Sequence, residues 1–274
     1  MTDRHIEESS APLIEHLIEL RTRLIYSLLA LGVTTAICFF FRYEIWNFLS
    51  WPLLRADPTA IVKTLNPQEA FLTVMGLSVW GGFFCAFPII AAQVWLFVAP
   101  GLYKKEQTAF LPFLVATPFL FLLGAALAYY MVIPLALNFL ISFAENTAIE
   151  GVRIENENRF SEYVSFIKVM LLAFGMCFEL PVLLTLLGRV GILTADMLAK
   201  GRKYAVVIIA AVAAVLTPPD IMSQFLLGIP VYLLYEISIH LVRRFERRRA
   251  AEEAAEEAEL SAWEEAQRDS EERE

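Results

Sequence analysis

The amino-acid sequence predicts an all-α integral membrane protein, and three observations lead to this fold class. The chain has 274 residues, of which 58% are hydrophobic and only 19% are charged, with a mean hydropathy of +0.57. Soluble domains contain roughly 45–50% apolar and about 25% charged residues. The apolar residues are also gathered into long uncharged runs, and Lys and Arg are unevenly divided among the loops between those runs. A soluble enzyme, a disulfide-stabilised scaffold and an acidic globular domain are therefore excluded.

Six apolar runs predict six transmembrane helices, because a spanning helix needs about 20 apolar residues. The fourth run is interrupted by Lys168 near its start and by Glu179 in its interior. The second and third runs are longer than a bilayer requires, and Pro88 and Pro118 inside them predict bent helices. The fifth run is short. It fits a re-entrant hairpin with the sixth, but we favour two short spans in a thinned bilayer. The predicted spans are residues 24–41, 70–99, 108–142, 163–188, 204–217 and 221–241.

Positive charge in the loops predicts the orientation of these spans. Six spans place both termini on the same side of the membrane. That side has sixteen Lys and Arg residues, whereas the other side has five. Cytoplasmic loops carry the excess of Lys and Arg in membrane proteins, so both termini are expected in the cytoplasm.

The net charge of −8 belongs to the C-terminal end of the chain. Residues 250–274 are rich in Ala and Glu and carry a net charge of −9, whereas residues 1–249 carry +1. The sequence therefore predicts a membrane domain over 1–249 and an acidic cytoplasmic tail over 250–274. Ala and Glu are strong helix formers, so the tail is expected to continue the last helix as a solvated extension.

The sequence contains no motif for catalysis, for a cofactor or for a metal ion. A phosphate-binding loop, a nucleophile elbow and a His-Glu-x-x-His motif are all missing, and the three histidines are scattered along the chain. The basic cluster at 243–249 adjoins a span, where such clusters mark the cytoplasmic membrane edge more often than a nucleic-acid site. The chain is therefore not expected to be an enzyme or to bind a cofactor, a metal or nucleic acid.

Polar side chains inside the spans are the first candidates for a functional site, since a charge at mid-bilayer costs about 3 kcal/mol. Glu179 is the clearest case. It fits either a hydrogen-bonded structural residue beside the kink at Pro181 or an acid that contacts a substrate or titrates in a cavity. Glu236 is expected to pair with Arg or water at the interface. Gln93 and Gln224 are weaker candidates of the same kind.

Acids at the predicted cytoplasmic edge are the second group of candidates. Glu19 and Arg23 are spaced i,i+4, which predicts an acid–base pair worth only a few tenths of a kcal/mol. Glu106 follows two lysines in a short turn. Physical reasoning alone leaves both acids as either solvated loop residues or part of a binding site.

Five sequence segments resemble the TatC family, the multispanning subunit of the twin-arginine protein translocase. They occur in order across nearly the whole membrane domain, and together they are far more specific than any one alone. The segments are His16-Leu-Ile-Glu-Leu-Arg-x-Arg-Leu24, Trp51-Pro-Leu53, Gln93-Val-Trp-x-Phe-x-Ala-Pro100 with Leu102-Tyr-Lys104 and Glu106, Phe174-Gly-x-x-Phe-Glu-x-Pro181, and Leu216-Thr-Pro-Pro-Asp220 with Ser223-Gln224.

The resemblance implies a concave, cup-like bundle in the bacterial cytoplasmic (inner) membrane that binds twin-arginine signal peptides of folded proteins. It also implies single-span TatA/TatB-type partner subunits, self-association within a receptor complex and export driven by the proton-motive force. The implied site residues fall into four groups: Glu19, Arg21, Phe97 and Glu106 for the signal peptide; Glu179 and Gln93 for an intramembrane polar pocket; Thr217 and Gln224 for partner docking; Pro52, Pro181 and Asp220 for structure.

Two other classes of protein remain as alternatives from the sequence. One is a proton-coupled small-solute transporter that uses Glu179 and Glu236 as relay acids. The sequence has no obvious repeat relating its two halves, which many such transporters carry. The other is a purely structural membrane scaffold, which would have no affinity for signal peptides.

Overall fold

The computed structural model describes residues 3–98, 111–146, 158–216 and 221–271, and nearly all of them are helical. The prediction of an all-helical fold is confirmed. The elements in chain order are α1 Asp3–Phe40, α2 Arg42–Ala56, β1 Val62–Lys63, α3 Pro67–Val98, α4 Leu111–Leu127, a π-helical segment Ala128–Val132, α5 Ile133–Asn146, β2 Asn158–Arg159, α6 Phe160–Phe178, α7 Leu180–Arg189, α8 Ala195–Leu216 and α9 Ile221–Glu271.

Five helical stretches in the described part of the chain are long and apolar enough to cross a membrane. This agrees with a multi-pass membrane protein, whereas the number of six spans and the position of the termini stay predictions. Residues 204–216 of the fifth predicted span lie in α8, whose first half carries Asp196, Lys200, Arg202 and Lys203. The five stretches are His16–Phe40, Pro67–Phe97, Phe113–Phe143, Phe160–Arg189 and Ile221–Trp263.

A π-helical segment lies inside the third predicted span. Residues Leu111–Asn146 form one path of α4, the π-helical segment and α5. Pro134 has no N–H for the carbonyl of Tyr130, and the helix widens just before it. The N–H of Ile133 donates to the carbonyl oxygen of Ala128, five residues back.

The fourth predicted span is not one continuous helix. The helix ends at Phe178 and a second begins at Leu180, and the N–H of Glu179 donates to the Met176 carbonyl oxygen at 3.1 Å. Pro181 cannot donate to the carbonyl of Cys177, so the helical ladder is interrupted there. The expected proline kink is therefore a break centred on Glu179.

Helix α2 lies outside the predicted spans, and the sequence analysis did not predict it. Pro52 stands in its interior and is buried. Because Pro52 has no N–H, the carbonyl of Phe48 lacks its helical donor. The hydroxyl of Tyr129 donates to that carbonyl instead, and its ring stacks on Phe48 with centroids 4.2 Å apart. The neighbouring Leu49 carbonyl accepts a 2.7 Å hydrogen bond from the hydroxyl of Tyr163.

A short parallel β-pair joins two loops of the chain, with Val62 opposite Asn158. Beside it, the Arg159 guanidinium Nε donates to Glu69 Oε1 at 2.9 Å, and the Ser161 hydroxyl donates to the same oxygen at 2.6 Å. Hydrogen bonding to Glu69 raises the pKa of the Arg159 guanidinium above its usual value. These contacts fix the start of α3 against the start of α6.

Close helix packing depends on glycines at two contacts. A Cβ on Gly82 of α3 would lie 2.5 Å from Thr35 Oγ1 and 2.7 Å from the Thr35 Cα in α1. At the same contact the Thr34 hydroxyl donates to the Gly82 carbonyl at 2.8 Å. A Cβ on Gly124 of α4 would lie 2.6 Å from the carbonyl oxygen of Phe174 in α6. The antiparallel helix pairs α1–α3 and α4–α6 therefore pack so closely that the backbone of one helix contacts the other.

The chain divides into two compact units, Met1–Glu179 with Ala213–Leu227, and Leu180–Val212 with Gly228–Glu274. In the second unit, Glu246 Oε1 accepts the N–H of Ala195 at 2.9 Å and so caps α8. The buried cluster of this unit consists of Ala195, Leu198, Tyr235, Ile239 and Val242.

Helix α9 continues without a break through residue 249, where the composition changes. The side chains described beyond that residue are exposed. The predicted helical extension of the last span is therefore present.

Candidate functional site

A polar group joins α1 and α3 at the end of their antiparallel contact. The guanidinium of Arg23 donates from NH2 to Glu19 Oε1 at 3.2 Å and from NH1 to Gln93 Oε1 at 3.4 Å. The predicted i,i+4 pair is thus present. Gln93 is thereby joined to Arg23, and its assignment with Glu179 to an intramembrane polar pocket stays a prediction. We call Glu19, Arg23 and Gln93 the α1–α3 polar group.

Two aromatic rings lie beside the α1–α3 polar group. The imidazole of His16 stacks on the ring of Phe97, with centroids 4.3 Å apart and an interplanar angle of 18°. Phe97 is half-buried, whereas Arg21 is exposed on the surface of α1. The structure therefore brings the predicted Glu19 and Phe97 to the same end of the α1–α3 pair.

The electrostatics of the α1–α3 polar group leave it able to accept more donors. The Glu19 side chain is 29% exposed, and Oε1 is the oxygen bonded to Arg23. A carboxylate has about four lone-pair sites, so one hydrogen bond does not saturate it. The Arg23 Nε is buried and has no partner among the described residues. Arg23 thus holds Glu19 in place rather than neutralising it fully.

Several predicted site residues lie outside the described residues, namely Glu106, Thr217 and Asp220. The pairing of Glu19 with Glu106 and the joint docking role of Thr217 with Gln224 therefore stay predictions. Gln224 itself is half-buried in the first turn of α9, next to the buried Ser223.

Glu179 belongs to a second polar group inside the helices. The Thr117 hydroxyl of α4 hydrogen-bonds to the Glu179 carboxyl group. The same hydroxyl accepts the indole N–H of Trp95 at 3.1 Å. Glu179 Oε1 is buried and has no partner in the described part of the chain. A carboxyl group at a helix break, held on one side and unsatisfied on the other, can accept a further donor there.

Both carboxylate oxygens of Glu236 are hydrogen-bonded. Its two oxygens accept from Arg202 Nε at 2.7 Å and NH2 at 2.9 Å, and Tyr232 donates its hydroxyl to Oε1 at 2.9 Å. This is the pairing with Arg that we expected for Glu236. Pro52 and Pro181 are both buried, at the helix positions described above.

The sequence analysis missed the roles of His16, Trp95 and Thr117. His16 and Trp95 stand in the quoted segments, but the sequence gives no sign of which side chains their rings contact. Thr117 is a single hydroxyl in an uncharged run, and such residues usually bond to their own helix backbone. Only the packing of α3, α4 and α6 shows that Thr117 bridges Trp95 and Glu179.

Metal-ligating side chains do not gather within residues 3–98, 111–146, 158–216 and 221–271, where no group of three could hold an ion. The observed sites consist of carboxylate, guanidinium, amide and aromatic groups on several apolar membrane helices. Such a fold and site are typical of a multi-pass membrane protein that recognises or transports a ligand.

Comparison with known proteins identifies the family. The family model "TatC: Sec-independent protein translocase protein (TatC)" matches residues 15–230. The Sec-independent protein translocase protein TatC of Magnetococcus marinus is 45% identical over 256 residues, which cover 93% of this chain and 92% of that protein. The protein of the same name from Escherichia coli K12 is 39% identical over 238 residues, covering 86% and 90%.

A solved structure shares the fold. The crystal structure of "Twin Arginine Translocase Receptor- TatC" superposes with a TM-score of 0.72 at 38% identity, covering 84% of this chain and 99% of that chain. The chain belongs to the TatC family of Sec-independent protein translocase proteins. The resemblance drawn from the five sequence segments is confirmed.

Proposed function

We propose that this chain is the receptor subunit of a twin-arginine translocase. It binds the signal peptides of folded proteins at its cytoplasmic face and supports their export, driven by the proton-motive force, with single-span partner subunits. The observation that carries this proposal is the α1–α3 polar group, in which the Glu19 carboxylate is fixed by Arg23 and still partly exposed. The description of the similar crystal structure as a twin-arginine translocase receptor supports the same function.

Glu19 and Glu106 are the acids that we assign to the paired arginines of the signal peptide. A fixed carboxylate offers two oxygens to the fork of a guanidinium, which gives a charge-assisted, bidentate contact that the Lys ammonium matches poorly. Arg23 limits the rotamers of Glu19, so less side-chain entropy is lost on binding. Phe97 and Arg21 support the same cytoplasmic surface.

We assign Glu179 to the pocket that receives the apolar part of the signal peptide. Its carboxyl group sits at the break between α6 and α7 with one buried oxygen unsatisfied among the described residues. A donor from the peptide backbone or from water carried with it would satisfy that oxygen. Thr217 and Gln224 are assigned to docking of a partner helix, whereas Pro52, Pro181 and Asp220 are assigned structural roles.

The cytoplasmic surface is tested with a synthetic twin-arginine signal peptide and the full chain in nanodiscs. Glu19→Gln removes the charge and keeps the size of the side chain, so we expect peptide affinity to fall by about tenfold or more, as for loss of one charged hydrogen-bond partner. The matched control is Glu162→Gln, which removes an exposed acid at the start of α6 that pairs with Arg159.

A second peptide with two lysines in place of the arginines separates geometry from charge. We expect wild-type protein to prefer the arginine peptide and Glu19→Gln to lose most of that preference. Equal affinity of the Glu19→Gln and Glu162→Gln proteins for the arginine peptide would contradict the assignment. The alternative of a proton-coupled solute transporter is not favoured, because the chain belongs to the TatC family and Glu236 is bound on both oxygens.

A further inference from the structure

An open groove of about 470 Å³ lies between α1, α3 and α6, away from both polar groups described above. Its walls are apolar and include Leu31 of α1, Val79 and Phe83 of α3, and Leu172 of α6. Val79 and Leu172 are 46% and 37% exposed, so apolar side chains are accessible along the groove. One positive charge, that of Lys168, lines the same groove.

Lys168 is a cation inside a candidate membrane span, and it has no acidic partner in the described part of the chain. It lies in Phe160–Arg189, and none of the ion pairs among the described residues includes it. Its ammonium is close to α3, where a Cβ on Gly76 would lie 3.7 Å from Nζ. Ser165, one turn earlier on α6, is exposed and lines the same groove. Among the described residues its charge has no counter-ion, so an anion from outside the chain can pair with it.

Helix packing gives the depth of the Lys168 ammonium in the membrane. In the antiparallel pair α1–α3, Gly81 lies beside Cys38, where a Cβ would be 3.4 Å from its Sγ. Gly76 is five residues closer to the start of α3, about 7.5 Å along the axis. The ammonium beside it is therefore level with the end of α1, where the charged Arg42 begins α2. Because the first predicted span ends at residue 41, that level corresponds to the predicted membrane interface and not to the bilayer centre.

We propose that this groove binds an anionic phospholipid. The lipid phosphate accepts hydrogen bonds from the Lys168 ammonium and the Ser165 hydroxyl, and an acyl chain runs along the apolar walls toward the bilayer centre. The Lys168 ammonium is positive and the lipid phosphate is negative, and lipid phosphates lie at the membrane interface around every copy of the protein. A lipid is therefore favoured over the acidic side chain of another helix. The site does not depend on the signal-peptide surface proposed above.

Native mass spectrometry of the full chain, titrated with phosphatidylglycerol or phosphatidylcholine in detergent, tests the site. Lys168→Met keeps the length of the side chain and removes its charge, so we expect phosphatidylglycerol affinity to fall about fivefold. Phosphatidylcholine carries no net charge, so its affinity should fall less. Lys168→Arg should retain most of the affinity. Lys200→Met, which removes an exposed lysine of α8, is the control for general loss of charge.

Three outcomes would overturn the lipid site. The first is equal phosphatidylglycerol affinity in the wild-type and Lys168→Met proteins. The second is displacement of the lipid by inorganic phosphate at the same concentration, which would show a free-anion site without any role for the acyl chain. The third is unchanged lipid binding by the Lys168→Met protein together with loss of a single-span protein that co-purifies with the wild type. That result would assign the groove to a protein partner. Ser165→Ala, expected to give a smaller loss, tests the site if Lys168→Met does not fold.

Discussion

The hydrogen bond between Tyr129 and Phe48 should depend on Pro52 for its contribution to stability. Tyr129→Phe removes the hydroxyl that donates to the Phe48 carbonyl. Because Pro52 supplies no N–H, that carbonyl then has no donor within its helix. An unsatisfied polar group of this kind costs roughly 1–3 kcal/mol, so we expect the free energy of unfolding to fall by about 2 kcal/mol.

Pro52→Ala changes this cost by restoring the missing N–H. Residue 52 is four positions after Phe48, so an alanine there can donate to the Phe48 carbonyl in the ordinary helical way. In the Pro52→Ala background, Tyr129→Phe should therefore cost only about 0.5–1 kcal/mol, the net worth of one hydrogen bond. The double-mutant cycle should give a coupling of about 1 kcal/mol.

The assay is equilibrium unfolding in mixed detergent micelles, followed by tryptophan fluorescence. Tyr130→Phe is the matched control, because Tyr130 is 61% exposed and Tyr129 is 3% exposed. Equal costs of Tyr129→Phe in the wild-type and Pro52→Ala backgrounds, within about 0.3 kcal/mol, would refute the reasoning. Pro52 would then act through its ring and not through its missing N–H.

Two further predictions concern packing and the buried acid. Gly82→Val should lower the free energy of unfolding by about 2–3 kcal/mol in the same assay, because its side chain would overlap the backbone of Thr35. The control is Gly32→Val, which should cost about 1 kcal/mol or less, because a Cβ on Gly32 meets nothing within 4 Å. Glu179→Gln keeps a group that can accept from Thr117 but lacks a charge, so export of a twin-arginine cargo in membrane vesicles should slow by about tenfold with stability retained. Export at the wild-type rate by that variant would reduce Glu179 to a structural residue.

The sequence predicted those parts of the fold that depend on a local pattern of residues. The apolar runs gave the long helices, and the Glu19–Arg23 spacing gave a contact within one turn of helix. Helix α2 was missed because residues 42–56 are not fully apolar and include Pro52, and proline is unfavourable in the interior of a helix. The two-residue strands were missed because so short a pairing leaves no periodic pattern.

The contacts between helices were beyond the reach of a single sequence. Arg23 and Gln93 are 70 residues apart, and Trp95 meets Thr117 only because α3 packs on α4. The position of Lys168 is a similar case. From the sequence it only interrupts the predicted fourth span, whereas its proximity to Gly76 gives its depth and its neighbours.

The unbroken helix α9 makes the C-terminal part of the chain an electrically polar rod. Its 51 residues extend about 75 Å along the axis. Five arginines between 243 and 249 lie just beyond the predicted span, and the first acid of the tail, at position 252, stands about 16 Å along the axis from residue 241. The Debye length is about 8 Å at physiological salt, so the tail's charge of −9 is largely screened at the membrane surface. A basic partner therefore meets that charge only out in the aqueous phase, and low salt extends its reach.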